Sequence, residues 1–178
     1  MRTIKAFVDT STVNRILEKD TKEVKGALYE EDRLYLSKIM EYVEKGSVQL
    51  VVNPSVKREI ERTLDTHKKN QLLALLGQFH FLPYNKTIFP FTFPAYFITP
   101  DEKRDLAELC RKIKGFQRDA RIFIEAVSSS QVEVLLTTDR AHLARKEILE
   151  YLKSKGLDKQ VKVFTPKGFL EYLNLRAV

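Results

Sequence analysis

The sequence predicts an α/β protein, a three-layer α/β/α sandwich built on a parallel sheet of about five strands. Three observations carry this. Short apolar runs of strand length alternate with longer stretches of helical periodicity, the pattern of strands joined by helical crossovers. Two of those runs, "KAFVDTST" and "VEVLLTTD", stop abruptly on hydroxyl residues and an aspartate. Glycine and proline stand at the junctions, where they start or end helices, until a proline-rich stretch near residue 83.

Taken in order, Ile4 to Val8 form a buried strand, and a helix begins around Val13 with Ile16 and Leu17 on its inner face and Thr10, Ser11 or Thr12 as its cap. A long helical pattern then holds Leu28, Leu34, Leu36, Ile39, Met40 and Val43 and ends at Gly46. "VQLVV" gives a second strand, Val48 to Val52, and in "NPSVKREIERTL" Asn53 is placed to cap and Pro54 to open a helix whose Ile60 and Leu64 face the core. A helix ending near Leu76 and Gly77 leads to "FHFLPY", a short third strand. From Asp101 the pattern is helical to about Ile113, breaks at Gly115 and resumes as "RDARIFIEAV". A fourth strand, Val132 to Leu136, precedes a helix from about Ala141 to Leu152, and "VKVFTPKGFLEYL" supplies the fifth strand and a terminal helix opened by Pro166.

At 178 residues with no Gly/Ser linker, the chain reads as a single domain over 1–178 with an aromatic and proline-rich insertion at about 79–100. That insertion gathers eight aromatic residues and four of the six prolines, so regular structure is excluded over most of it. A packed loop or a homodimer surface ranks ahead of a platform for stacking single-stranded bases. No stretch approaches the roughly 18 apolar residues of a membrane span, and the N-terminus lacks the pattern of a secretory signal. With Cys110 the only cysteine, no internal disulfide can form, so a cytoplasmic setting is expected. Thirty-one Lys and Arg against 24 Asp and Glu give a formal charge of +7, which favours polyanionic partners.

In an open parallel sheet, ligands gather beyond the carboxyl ends of the strands. Asp9 and Asp139 belong to that edge, Glu59 lies about a turn and a half into the helix after the second strand, and Asp119 lies near the start of the helix before the fourth. Four converging acids repel unless a cation sits among them, and Mg²⁺ or Mn²⁺ accepts oxygen ligands. Glu61 competes with Glu59, since two residues on a helix turn a side chain through roughly 200° and only one of the pair can face the site. His67, His80 and His142 show no ligand spacing. His142, one helical turn after Asp139, is placed to touch a phosphate. Lys112, Lys114, Arg118, Arg121 and Arg140 flank two of the acids and offer a basic rim for RNA.

"FVDTSTVNRIL", "NPSVKREI", "GFQRDARIFIEAV", "LLTTDRAHL" and "VFTPKGFLEYL" occur in the order and with about the spacing of the PIN-domain nucleases, which the chain resembles from Lys5 to about Leu173. That family includes toxin ribonucleases of toxin–antitoxin pairs and RNA-processing endonucleases. The resemblance implies that Asp9, Glu59, Asp119 and Asp139 are catalytic and bind Mg²⁺ or Mn²⁺, with Ser11 and Thr138 supporting them by hydrogen bonds. It also implies hydrolysis of RNA phosphodiesters by a metal-activated water, with an antitoxin protein as a further partner. The family's spacing favours Glu59 over Glu61. Ser11 stands where the family often has Asn. The competing expectation is a catalytically inactive PIN-like subunit for RNA binding or assembly, against which the presence of all four acids speaks. A receiver-type signalling domain lacks its adjacent acid pair and strand-end lysine here.

Overall fold

The computed structural model describes residues 2–18, 27–82, 113–127, 129 and 131–176, together with 104, 108 and 111. Five strands, β1 (Ile4–Val8), β2 (Val48–Val52), β3 (His80–Phe81), β4 (Val134–Leu136) and β5 (Lys162–Phe164), form one parallel sheet in the order β3-β2-β1-β4-β5. The helices are α1 (Thr10–Leu17), α2 (Ala27–Glu44), α3 (Pro54–Glu61), α4 (Thr66–Leu76), α5 (Gln117–Val127), α6 (Lys146–Ser154) and α7 (Pro166–Arg176). From β1 the chain steps outward to β2 and β3, then crosses back to β4 and continues outward to β5. Parallel crossovers are right-handed as a rule, so crossovers in these two opposite directions put helices on both faces of the sheet, giving the three layers that the strand and helix alternation predicts.

The central strands are apolar almost throughout because both of their faces are covered. Ala6, Phe7, Val8, Val51, Val52, Val134, Leu135 and Leu136 have no exposed surface. Ala6 pairs with Leu50 on one side and Val134 on the other, so a small residue lies at the middle of the sheet. Phe116, Phe123, Phe169, Ile60 and Leu143 complete the core from the helices and turns.

Helix ends follow local chemistry. Asn53 Oδ1 accepts the Val56 N–H at 2.9 Å and Pro54 occupies the first turn of α3. Gly46, at φ +73°, closes α2: its own N–H donates to the Val43 carbonyl and that of Ser47 to Tyr42, the paired bonds of a left-handed helix terminus.

Five local expectations change. The cap of α1 is Asp9 rather than Thr10, Ser11 or Thr12, and the helix starts at Thr10, because the Asp9 carboxylate reaches the Thr12 N–H. Leu64 is 97% exposed, since α3 ends at Glu61 and helical periodicity no longer aims the residues that follow. On α2, Leu28 and Leu34 are exposed while Leu36 and Ile39 are buried. The helix expected from Ala141 begins at Lys146, and β4 spans only Val134 to Leu136. Residues 140–144 instead form turns, because Asp139 Oδ1 captures the N–H groups of Ala141 and His142 at 2.9 and 3.0 Å and competes with the helical pattern. Of the 79–100 insertion, residues 83–100 lie outside the described residues, as do Cys110, Lys112 and the side chains of Arg118 and Arg121. Among the described residues, no helix is long and apolar enough to cross a membrane.

Candidate functional site

The order in which the chain adds strands reverses between the parallel neighbours β1 and β4, and the residues after these two adjacent strands build the site. Asp9 follows β1 directly and is 2% exposed. Its Oδ1 accepts the Thr12 N–H at 2.8 Å, and its Oδ2 accepts the hydroxyls of Ser11 at 2.8 Å and Thr137 at 2.6 Å. Burial pushes the Asp9 carboxyl up from the usual range, and the hydrogen bonds from Thr12, Thr137 and Ser11 oppose that shift.

Hydroxyl groups join the two strand ends. The Ser11 and Thr138 hydroxyl oxygens are 2.9 Å apart, and because the Ser11 proton goes to Asp9, Thr138 donates to Ser11. Thr12 Oγ1 donates to the Leu136 carbonyl at 3.2 Å and accepts the Thr138 N–H at 3.0 Å. Thr137 is buried, and its oxygen also accepts the Asp139 N–H at 2.9 Å. The turn carrying Asp139 is therefore pinned to the cap of α1.

Asp119, in the first turn of α5, and Asp139 both approach His142: Nδ1 lies 3.1 Å from Oδ2 of each. The other ring nitrogen, Nε2, is 3.3 Å from the Lys114 carbonyl, an acceptor only, so Nε2 carries a proton and donates it. The ring lies against Phe116, with centroids 6.3 Å apart, and against the backbone of Gly115, where a side-chain carbon would stand 3.2 Å from Nε2. Gly115 also has φ +89°, which a side chain would strain.

Glu59 accepts the Thr10 hydroxyl at 2.5 Å, which ties α3 to the start of α1. Glu61 is exposed and pairs with Lys57 at 3.8 Å, one turn back on the outer face of α3. Asp119 responds to the whole group: its carboxyl is pushed up to about 6, first by burial and next by the negative charge of Asp139, with smaller contributions from Glu59 and Asp9, while His142 acts in the opposite sense.

The four sequence-predicted acids thus share one edge of the sheet in different roles. The tight set is Asp119, Asp139 and His142, whose donor atoms lie within 4.8 Å of one another. Asp9 and Glu59 are held beside it by hydroxyls. Of the predicted basic rim, Lys114 is exposed, whereas Arg140 is forked onto the buried Asp32 of α2 at 2.7 and 2.8 Å.

Sequence reasoning missed three contributors. Thr137 precedes the threonine it singled out, and its one signal is a hydroxyl placed directly after a fully buried strand. Thr10 was read as a cap and instead holds Glu59. Asp32 lies in an acidic run on a long helix, and no local pattern ties it to Arg140, 108 positions away.

Neither a family model nor a curated protein sequence matches the chain.

Proposed function

We propose that this protein is a Mg²⁺- or Mn²⁺-dependent endoribonuclease of the PIN type, hydrolysing RNA phosphodiester bonds. The observation that carries the proposal is the gathering of carboxylate charge at the switch point of the sheet, where Asp119 and Asp139 meet at His142 within 4.8 Å and the Asp119 carboxyl is pushed up to about 6, first by burial and next by the charge of Asp139. A divalent cation fits that charge and the oxygen-rich donor set. Asp119 and Asp139 would hold the ion, with Asp9 and Glu59 completing the negative field around it. When bound, it supplies a nucleophile at neutral pH and offsets charge on the phosphoryl oxygens.

The chain's own residues do the rest. Ser11, Thr12 and Thr137 fix the Asp9 carboxylate, and Thr138 is locked to Ser11, so the acids are preorganised before RNA arrives. Lys114 and the net charge of +7 favour the RNA backbone. An antitoxin protein and a cytoplasmic location belong to the same proposal.

The test is incubation of structured and single-stranded RNA with EDTA, Mg²⁺ or Mn²⁺. EDTA abolishes cleavage, either ion restores it, and the products carry a 5′-phosphate and a 3′-hydroxyl. Ends bearing a 2′,3′-cyclic phosphate would identify the RNA 2′-hydroxyl as the nucleophile and overturn the mechanism. RNA binding without cleavage under any of these ions would favour the inactive binding subunit.

A further inference from the structure

We propose that His142 Nδ1 is itself a ligand of the metal centre, which makes that centre a mixed nitrogen and oxygen site selective for Mn²⁺ and its transition-metal neighbours over Mg²⁺. The assignment rests on the metal-dependent reaction proposed above and adds to it the class of ion and a ligand outside the four acids.

The geometry supports a ligand in three ways. Nδ1 stands at 3.1 Å from both Asp119 Oδ2 and Asp139 Oδ2, so one nitrogen and two oxygens converge on a single point from α5 and from the turn after β4. The far nitrogen is committed: Nε2–H donates to the Lys114 carbonyl, which orients the ring so that Nδ1 faces the two carboxylates, and an ion that displaces the proton between them meets the Nδ1 lone pair. A backbone carbonyl on the distal nitrogen is the usual means of orienting a metal-bound imidazole. Finally, the ring is confined by Phe116 and by the backbone at Gly115, which admits no side chain without crowding Nε2. A residue serving only as a surface partner of an aspartate needs none of this support. Imidazole nitrogen binds Mn²⁺, Co²⁺ and Zn²⁺ readily, whereas Mg²⁺ prefers oxygen and retains its waters.

The experiment is calorimetric titration of the metal-stripped full-length protein with Mn²⁺ and separately with Mg²⁺, at a fixed, mildly alkaline pH. Parent, His142→Ala and His142→Gln are compared, and pulsed EPR is recorded on the Mn²⁺ forms. Mn²⁺ affinity falls about tenfold or more in both variants, Mg²⁺ affinity changes by less than about threefold, and the nitrogen hyperfine coupling present in the parent disappears. Melting in EDTA checks that the variants fold. If they do not, the nitrogen coupling of the parent decides alone. Unchanged or tighter Mn²⁺ binding in the variants, or a parent spectrum without nitrogen coupling, would show that His142 is a counter-charge displaced by the ion. A parent that binds neither ion would overturn the metal centre altogether, and with it the proposed reaction.

Discussion

Thr137 donates its hydroxyl to Asp9 at 2.6 Å across 128 positions of sequence, and the same oxygen accepts the N–H of Asp139 at 2.9 Å. One buried hydroxyl thus fixes two of the site's acids relative to each other. Thr137→Val keeps the volume but leaves a buried carboxylate short of one donor and an N–H without its acceptor. We expect a loss of about 1–3 kcal/mol in denaturant unfolding, together with a fall in cleavage, and recovery of most of both in Thr137→Ser. Equal stability of the Val variant and the parent would show the hydroxyl to be dispensable.

In the same sense as the buried Asp9, Asp119 contributes to the pH dependence of metal-free stability. Its carboxyl titrates at about 6 when folded against 3.8 for an ordinary aspartate, so between these values the native state binds more protons than the unfolded chain. Its contribution therefore makes stability fall as pH rises through that window, and the deficit persists above it. Asp119→Asn removes the deficit. In EDTA at neutral pH the variant should equal or exceed the parent, by on the order of 1–3 kcal/mol, while cleaving RNA very poorly. A large loss of stability in the variant at neutral pH would contradict this account of the site's charge.

Metal stabilises the native state by mass action only where the native site binds it. The rise in melting temperature on adding Mn²⁺ should accordingly shrink in Asp119→Asn and Asp139→Asn, and also in Asp9→Asn. Differential scanning calorimetry with and without Mn²⁺ reads this directly, and an undiminished rise in all three variants would remove these acids from the centre.

Glu59 and Glu61 should separate. Glu59 faces Thr10 and the site, whereas Glu61 pairs with Lys57 in solvent, a contact worth about 0–1 kcal/mol. Glu59→Gln should lose most activity and Glu61→Gln almost none, measured as initial cleavage rates on one RNA.

Arg140 should matter for folding more than for RNA. Its two terminal nitrogens are held by Asp32, whose side chain is only 3% exposed. Arg140→Ala strands that carboxylate and should cost up to about 3 kcal/mol. Arg140→Lys should restore little, because an ammonium cannot reproduce the fork. The salt dependence of RNA binding by folded Arg140→Ala should match the parent. A reduced salt slope would place Arg140 on the phosphate backbone instead.

The strands were legible in the sequence because a parallel strand buried on both faces must be apolar over most of its length, as Ile4 to Val8 and Val48 to Val52 are except at the half-buried Lys5 and Gln49. Asn53, Pro54, Gly46 and Gly115 were legible because capping and left-handed backbone are properties of one residue and its nearest neighbours. The acids themselves stood out by their position at strand ends and helix starts. Local competition was harder to read. Several side chains near Asp9 were able to cap α1, and the choice fell to the carboxylate that reaches the Thr12 N–H. The turn at residues 140–144 likewise replaced a helix because the Asp139 carboxylate took its N–H groups. Only the tertiary structure decided which groups meet. Thr137 joins Asp9, Arg140 joins Asp32, Glu59 joins Thr10, and His142 turns from a candidate phosphate contact into the partner of Asp119 and Asp139. Each of these depends on the reversal of strand order between β1 and β4 or on helix packing, which brings residues far apart in sequence within bonding distance, and periodicity along the chain holds no record of such distances.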